Sequence, residues 1–383
     1  MPPTYELPVY ARMLNDNVRT GAYAESIRAA VRPGAVVLEI GTGTGFMALL
    51  ACKHGAKRVY ALEPANAIVV ARNAARDNGF ADRIVFQQAL STEVTLPEKC
   101  DVLISDLRGV SACVSTQLAD LMDARERLLA PDAAWICQED VFQVAVTELP
   151  DQEQALAPWD QSKWGLDLRS ALPYATNQGT RRRCHQKDCL SLPARWARIH
   201  YPTLNSPHVR GTASLEITRD GEAQGLVIWF DAELFGGYRF SSAPGSPCDI
   251  YGNLFLPWPK MVPLRKGDRV SVRLDAVLSQ SNYVWNWATV VTRDASPTPV
   301  AEFKQSTLRG ELLDGSKLSR AYPQHKPALS LRGEVERFLL EQMDGQRTQA
   351  EIAVAMRERF AGRFPNDEAA LARVMEAATR FCK

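Results

Sequence analysis

The chain has 383 residues, of which 46% are hydrophobic, and its 45 basic and 44 acidic side chains give a formal net charge of +1. Because this length exceeds what one hydrophobic core usually supports, we expect two or three domains. The balanced charge argues against nucleic acid or an anionic membrane as a partner. The N-terminus lacks a signal-peptide pattern, and no apolar run approaches the roughly 20 residues that span a bilayer, so we expect a cytoplasmic protein.

The first part of the chain, residues 1–145, alternates predicted helices and strands. Apolar residues recur with helical spacing over 19–30, and Pro33-Gly34 then breaks the chain. Beyond that break we predict strands at 35–40, 58–63, 84–87, 101–105 and 133–137, and helices at 46–54, 66–78 and 117–129. This alternation predicts a parallel sheet with helices on both faces, and such sheets bind ligands at the carboxyl ends of their strands.

The first predicted strand leads into a glycine-rich loop, Glu39-Ile40-Gly41-Thr42-Gly43-Thr44-Gly45. Glycine lets the backbone approach a ligand closely and adopt positive φ. The G-x-G-x-G spacing differs from the usual dinucleotide fingerprint, and Glu63 at the end of the second strand can accept hydrogen bonds from both hydroxyls of a ribose. These features favour S-adenosylmethionine, with a nicotinamide cofactor and a turn without ligand as the alternatives.

After residue 145 the sequence changes in character twice. Apolar or alternating runs at 213–217, 226–230, 269–274 and 287–291, separated by turn signals, predict a β-rich domain over 146–310. From 311 to 383 amphipathic segments at 335–343, 349–360 and 367–382 predict a small helical module.

The eight cysteines are scattered and form no disulfide framework. The nearest approach to a metal site is the segment from Cys184 to Cys189, which also contains His185. A zinc site needs four ligands, and no second Cys/His pair lies at a usual spacing, so we expect no metal.

The residues around the predicted sheet resemble the protein arginine methyltransferases. The similarity is carried by Met13-Leu14-Asn15-Asp16-Asn17-Val18-Arg19-Thr20-Gly21-Ala22-Tyr23, by 36–64, by 101–109 and 124–132, and by Trp164-Gly165-Leu166-Asp167 and Trp229-Phe230-Asp231, within roughly residues 5–300. The resemblance implies an α/β Rossmann-like methyltransferase domain, then a β-barrel-like domain. It also implies a homodimer formed through an arm at about 160–190.

The resemblance also implies roles for individual residues. Arg19 would bind the carboxylate of S-adenosylmethionine, the loop glycines would line its methionine moiety, Glu63 would bind the ribose, and residues 91–93 would lie beside the adenine. The predicted cofactor-binding residues are therefore Arg19, Glu39, Gly41, Gly43, Gly45, Glu63, Thr92 and Glu93.

On the substrate side the sequence departs from the family. The family grips a guanidinium with two glutamates, whereas this chain has Asp106 at the first position and Ser115 at about the second. A guanidinium clamp depends on paired, charge-assisted hydrogen bonds, and losing one partner of a desolvated ion pair costs about 3–5 kcal/mol. The family's Thr-His-Trp loop corresponds to 248–253, with Ile250 at the histidine position. We predict Asp106 as the catalytic residue that faces the substrate.

Three functions are consistent with this pattern. The chain could methylate a carboxylate, amide or thiol of a peptide or protein, because methyl transfer mainly requires an in-line nucleophile. It could be a genuine protein arginine N-methyltransferase that uses Asp106 and a second acid. It could also be a non-catalytic module that binds peptides. We favour the first.

The C-terminal module carries the pattern D-G-x-x-T-x-x-E-I-A from Asp344 to Ala353. It resembles the winged-helix-like PqqD modules, which hold leader peptides in the biosynthesis of ribosomal peptide natural products. Thr348 and Glu351 also form a capping box, which by itself favours these residue types at a helix start. No clear strands precede the pattern to complete a peptide-docking edge. The alternatives are a leader-peptide site and a stabilising helical tail or dimer contact.

Overall fold

The computed structural model describes residues 5–160, 164–248, 250–293, 298–312, 320 and 323–382. The chain divides into two compact units, Met1–Glu311 and Leu312–Lys383. Within the described residues, no helix has the length and apolar character needed to cross a membrane.

Two helices precede the first sheet. Helix α1 spans Leu7–Asn15 and α2 spans Asn17–Ala30, which extends the prediction at 19–30 by two residues. Asp16 separates them, and its carboxylate accepts a hydrogen bond of 3.1 Å from the backbone N–H of Arg19. Such a cap satisfies one of the free N–H groups at a helix start.

The five-stranded parallel sheet has the order β3-β2-β1-β4-β5, and the predicted α/β Rossmann-like fold is confirmed. Its strands are β1 (Val36–Ile40), β2 (Arg58–Leu62), β3 (Ile84–Gln87), β4 (Cys100–Ser105) and β5 (Leu129–Trp135), and its helices are α3 (Phe46–Lys53), α4 (Ile68–Asp77) and α5 (Gln117–Arg127). Ile40 pairs with Leu62 on one side and with Ser105 on the other. The chain therefore leaves β1, β2 and β4 at the same edge of the sheet.

The fifth strand lies earlier in the sequence than predicted. The predicted helix at 117–129 ends at Arg127, and Leu129 already begins β5. Cys137, the predicted end of that strand, instead begins β6 in a second sheet. Pro131 and Asp132 resemble a turn in the sequence but lie within β5, which pairs with β4 on both sides of a bulge.

The second half of the large unit is antiparallel. One sheet has the order β7-β12-β10-β6-β8, with β11 paired to β10, and the other has the order β15-β14-β13-β9. The strands are β6 (Cys137–Thr147), β7 (Thr180–Arg182), β8 (Ala194–His200), β9 (Val209–Glu216), β10 (Gly221–Leu234), β11 (Arg239–Ser241), β12 (Asn253–Leu264), β13 (Arg269–Ser279), β14 (Asn282–Thr292) and β15 (Ala301–Ser306). Burial alternates along β13, as in a sheet with one face toward a core. The predicted β-barrel-like architecture is confirmed.

Strand β6 connects the two sheet systems, which share one hydrophobic cluster. The division predicted between residues 145 and 146 falls inside β6 and stays a prediction. Between β6 and β7 along the chain, α6 (Pro150–Asp160) and α7 (Leu172–Ala175) lie in or next to the predicted arm at 160–190, of which 161–163 are outside the described residues. The arm's role in a homodimer also stays a prediction.

Within the described residues 323–382, the small unit contains three helices, α8 (Leu331–Gln342), α9 (Gln349–Arg359) and α10 (Asp367–Phe381). They enclose a core of their own that includes Val335, Leu339, Met356 and Val374. The described residues from 323 to 382 contain no strand, so the winged-helix-like character stays a prediction.

Candidate active site

The glycine loop follows β1 at the carboxyl edge of the parallel sheet. Gly41, Gly43 and Gly45 have φ values of 80°, 54° and 88°, a region that favours glycine. The backbone N–H groups of Gly41 and Thr42 both donate to the carbonyl of Leu62, at 2.9 and 3.0 Å. A Cβ on Gly45 would lie 2.9 Å from the Cβ of Ala71, so this glycine lets α4 pack against the loop.

Glu63 follows β2 and lies against the loop. Its Oε2 accepts a hydrogen bond of 2.9 Å from the N–H of Gly43, and its Oε1 accepts one of 2.9 Å from the N–H of Ala65. The side chain of Tyr10 covers the same place, since its Cε1 would lie 2.6 Å from a Cβ on Gly43. Burial and the nearby Glu63 charge raise the pKa of Tyr10 to about 12, so its hydroxyl stays protonated and can donate a hydrogen bond.

Glu39 is buried at the end of β1, and Thr42 Oγ1 donates to its Oε2 at 2.5 Å. Burial raises the pKa of Glu39 to about 7, although the Thr42 hydrogen bond favours the charged form. Thr92 and Glu93 lie in an exposed turn after β3, where Glu93 Oε2 accepts from the N–H of Leu90 at 3.2 Å.

These groups fit the nucleoside end of S-adenosylmethionine. Each carboxylate oxygen of Glu63 accepts one backbone hydrogen bond, so each keeps a lone pair for one of two neighbouring hydroxyls. The glycine loop, Glu63 and the turn at 91–93 all lie after strands at one edge of the sheet, where open α/β sheets bind ligands. Two of the predicted cofactor residues bond to the glycine loop. Glu63 accepts from Gly43, and Glu39 accepts from Thr42.

Arg19 points instead into the substrate side of this edge. Its Nε donates to Asp106 Oδ2 at 2.6 Å, and its Nη2 lies 2.5 Å from the same oxygen. The hydroxyl of Tyr251 donates to that oxygen as well, at 2.6 Å. Burial alone would raise the pKa of Asp106, but the charges of Arg19 and Arg108 and the Tyr251 hydrogen bond outweigh it and hold this pKa below its ordinary value.

Arg108, two residues after Asp106, forms the centre of a buried ionic cluster. Its Nε donates to Asp140 Oδ2 at 2.7 Å, its Nη2 donates to Asp140 Oδ1 at 2.8 Å, and its Nη1 donates to Asp106 Oδ1 at 3.2 Å. Tyr201 also donates to Asp140 Oδ2, at 2.7 Å. The side chains of Arg108, Asp106 and Asp140 are 1%, 5% and 0% exposed, so the cluster is sealed from water.

The other substrate-side positions do not complete a clamp. Ser115 is exposed with φ of 46°, whereas Asp106 is buried, and no hydrogen bond joins the two among the described residues. Ile250 is half-buried and packs against the main hydrophobic cluster. Within the described ranges, no group of three or more His, Cys, Asp and Glu residues could hold a metal ion.

Sequence reasoning missed most of the cluster around Asp106. Tyr251 stands beside Ile250 in the segment that was compared with the family's loop, so position alone could have indicated it. Arg108 lies in the same loop as Asp106, and an arginine next to a clamp carboxylate was an available signal. Asp140 lies in β6 and Tyr201 in the turn after β8. Nothing in their spacing along the sequence indicated that they meet each other and Arg108.

Comparisons with known proteins find methyltransferases among the similar sequences and structures. A family model described as ribosomal protein L11 methyltransferase (PrmA) matches residues 20–137. The probable protein arginine N-methyltransferase 6.2 of Oryza sativa subsp. indica is 26% identical over 255 residues, which cover 64% of this chain and 64% of that protein. The chain thus spans less than two thirds of this relative. The arginine N(omega)-methyltransferase of Streptomyces achromogenes subsp. streptozoticus is 27% identical over 269 residues, covering 68% of this chain and 74% of that protein.

Solved structures share the fold. The Trypanosoma brucei PRMT1 enzyme-prozyme heterotetrameric complex with AdoHcy contains a chain that matches with a TM-score of 0.70 and 22% identity, over 79% of this chain and 98% of that one. Protein arginine methyltransferase 10 of Arabidopsis thaliana matches with a TM-score of 0.68 and 19% identity, over 77% and 95%.

Proposed function

We propose that this chain, which is related in sequence and fold to the protein arginine methyltransferases, is an S-adenosylmethionine-dependent methyltransferase that modifies a side chain of a peptide or protein. One observation carries the proposal. The Glu63 carboxylate, with a lone pair left on each oxygen, lies against a positive-φ glycine loop at the same sheet edge as Asp106.

The cofactor residues have distinct roles in this proposal. Glu63 holds the ribose hydroxyls, the loop glycines let the backbone approach the methionine portion, and the turn at 91–93 borders the adenine. Arg19 keeps its ion pair with Asp106 and offers its remaining N–H groups to the carboxylate of the cofactor. When bound, S-adenosylmethionine would supply a methyl group: a lone pair of the acceptor would form the bond to the methyl carbon as the carbon–sulfur bond breaks, the sulfonium would leave as the neutral thioether of S-adenosylhomocysteine, and a thiol or amide acceptor would give its proton to water. The chain therefore needs to orient the acceptor more than to activate it.

The acceptor in this proposal is a carboxylate, amide or thiol. The support comes from Asp106, which is shorter than the glutamate of the family and is already paired with Arg19 and Tyr251. Ser115 is exposed and uncharged, so it offers no second carboxylate. Arginine N-methylation is the second candidate, favoured by the names of relatives such as the Streptomyces enzyme. A non-catalytic peptide-binding module is the third.

We also propose that the small unit holds a leader peptide, and that the chain acts in the maturation of a ribosomal peptide natural product. Its support is the resemblance of 344–353 to PqqD modules, together with the capping box in which Thr348 and Glu351 bond to each other's backbone N–H groups. A capping box also stabilises any helix start, so a helical tail remains the competing role. A homodimer and a cytoplasmic location belong to the same proposal.

Calorimetric titration of the full chain with S-adenosylmethionine tests the cofactor. We expect binding by the natural chain and a loss of about tenfold to hundredfold in Glu63→Ala, because charged hydrogen bonds to the ribose disappear. Glu25→Ala, which removes an exposed carboxylate paired with Arg28, serves as the matched control with unchanged affinity. Absence of binding at millimolar cofactor would exclude the enzyme, and unchanged affinity in Glu63→Ala would refute the ribose role.

The acceptor is identified by mapping the added methyl with mass spectrometry. If a short precursor peptide is encoded beside this gene, that peptide is the first substrate to incubate with the chain and cofactor. Methyl on a carboxylate, amide or thiol supports the proposal, whereas methyl found on arginine alone establishes the second candidate.

A further inference from the structure

We propose that Arg108 is a built-in guanidinium that fills the cation position beside Asp106 and thereby restricts the enzyme to acceptors without positive charge. This inference rests on the proposed methyltransferase function and names the class of substrate at that same site. Arg108 would determine specificity by occupying the cation position beside Asp106 and by satisfying the hydrogen-bond acceptors there.

The guanidinium of Arg108 lies in a complete recognition site. All five of its N–H groups have acceptors: Nε reaches Asp140, Nη1 reaches Tyr23 and Asp106, and Nη2 reaches Asp140 and Cys137. A guanidinium has five donors in a fixed plane and no acceptor, so this set leaves none of them unmet. A site of this kind would bind a free guanidinium if the chain did not supply one.

Aromatic rings complete the enclosure. The carbon of the Arg108 guanidinium lies 5.4 Å from the ring centre of Phe230, 5.7 Å from that of Phe240 and 5.8 Å from that of Tyr201. Arginine is favoured near aromatic faces because the negative face of a ring attracts a weakly hydrated cation. The carboxylates, the hydrogen-bond acceptors and the aromatic rings around Arg108 thus form a site for one guanidinium group.

Asp106 already pairs with two cations, Arg19 and Arg108, and has little exposed surface for a third. Its Oδ2 accepts from Arg19 and Tyr251, its Oδ1 accepts from Arg108, and its side chain is only 5% exposed. Two guanidinium groups, from Arg19 and Arg108, balance the two carboxylates of Asp106 and Asp140. An arriving arginine or lysine would have to displace one of these buried partners and leave an unpaired charge, which is strongly unfavourable.

The acceptor class follows from this balance. A neutral amide, thiol or hydroxyl can approach these balanced arginine and aspartate pairs without breaking an ion pair. A carboxylate meets no net negative charge there. A guanidinium or ammonium acceptor gains no carboxylate to pair with. Arg108 therefore selects against the positively charged side chains that the two-glutamate clamp of the related family would accept.

Chemical rescue tests whether Arg108 fills a guanidinium site. In Arg108→Ala the thermal midpoint of the full chain falls, and we expect millimolar methylguanidinium, but not its neutral analogue methylurea, to raise it again. Arg83→Ala is the matched control, because the partly buried guanidinium of Arg83 donates to the carbonyls of Cys52 and Ala56 and lies over the Phe80 ring. No selective rescue of Arg108→Ala, or equal rescue of Arg83→Ala, would overturn the assignment.

Peptide binding tests the consequence for specificity. In the presence of S-adenosylhomocysteine, we expect the natural chain to bind an arginine peptide no more tightly than the same peptide with citrulline, the neutral analogue. The double variant Arg108→Met, Asp140→Asn removes one cation and one carboxylate together and frees Oδ1 of Asp106, whose Oδ2 keeps Arg19 and Tyr251, so we expect it to prefer arginine by about tenfold. A natural chain that prefers arginine by that factor, and loses the preference in Asp106→Asn, would overturn the proposal.

Cofactor titration on the same samples separates the two proposals. If the natural chain binds no S-adenosylmethionine, the methyltransferase proposal fails, whereas the rescue and the peptide comparison still report on Arg108. If the cofactor binds and the arginine preference is present, only the inference about Arg108 fails.

Discussion

Tyr251 donates a hydrogen bond of 2.6 Å to Oδ2 of Asp106, and this bond links the antiparallel half of the large unit to the end of β4. The Tyr251 ring also stacks on Phe240, with ring centres 5.8 Å apart and an interplanar angle of 8°. The ring of Tyr251 is thus held by Phe240, separately from the hydrogen bond that its hydroxyl donates to Asp106. Removing the hydroxyl alone leaves the ring contacts in place and removes this bond together with the one that the hydroxyl accepts from Arg19 Nε at 3.0 Å.

Tyr251→Phe should lower the free energy of unfolding by about 1–3 kcal/mol, because a buried carboxylate loses a donor while the ring stays packed. Urea denaturation at pH 7 measures the change. Tyr283→Phe is the matched control, since Tyr283 donates at the same distance of 2.6 Å to the neutral carbonyl of Pro207. We expect the control to lose about 1 kcal/mol. A loss at Tyr251 no larger than at Tyr283 contradicts the importance of the charged acceptor.

Gly45→Ala should be more destabilising than Gly79→Ala, although both glycines have positive φ, at 88° and 72°. In either variant alanine adopts a left-handed conformation at a cost of about 1–2 kcal/mol. At position 45 the new Cβ would also lie 2.9 Å from the Cβ and 3.1 Å from the Cα of Ala71, whereas at position 79 nothing lies within 4 Å. Urea denaturation compares the two, and equal losses would mean that α4 moves away from the loop freely.

Glu39→Gln should alter how stability depends on pH. Because burial raises the pKa of Glu39 from 4.5 to about 7, the folded chain holds this proton more tightly than the unfolded chain does. Stability therefore falls as pH rises from 4.5 to 7, by about 3 kcal/mol at most. The variant lacks this decline and keeps an acceptor for Thr42, so it should be relatively more stable above pH 7.

Unfolding measured from pH 4.5 to 8 checks this expectation, with the exposed Glu25→Gln as control. A decline of equal depth in the natural chain and in Glu39→Gln would show that another group is responsible.

Thr348→Ala should loosen the start of α9 in the small unit by about 1 kcal/mol, because Thr348 Oγ1 accepts from the N–H of Glu351 as an N-cap. Amide hydrogen exchange in the full chain measures the local effect near residue 351. Thr379→Ala is the control, since its hydroxyl is exposed within α10 and donates to the carbonyl of Met375. Similar exchange in both variants would argue against a capping role.

Local pattern in the sequence was sufficient for most of the parallel sheet, and it indicated the glycine loop and Glu63, whose roles toward a cofactor stay predictions. The strands at 36–40, 58–62 and 84–87 lie where alternation placed them, because each is an apolar run bounded by helix signals. Glycine spacing and Glu63 were readable for the same reason, since a ligand loop depends on residues adjacent in the chain. The fifth strand was misplaced because pairing with β4 overrides the turn preference of Pro131 and Asp132.

Only the tertiary structure decided which side chains contact one another around Asp106 and Arg108. The resemblance read from the sequence predicts that Asp106 stands where the family has a longer acid, and that Ser115 and Ile250 stand where it has charged and titratable groups; these stay predictions. It did not determine that Arg108 meets Asp140, or that Tyr251 meets Asp106, because these pairs are 32 and 145 residues apart. Long-range packing brings such groups together. Since a buried charge is stable only with partners, the ion pairs form where the core closes, and local periodicity carries no information about that place.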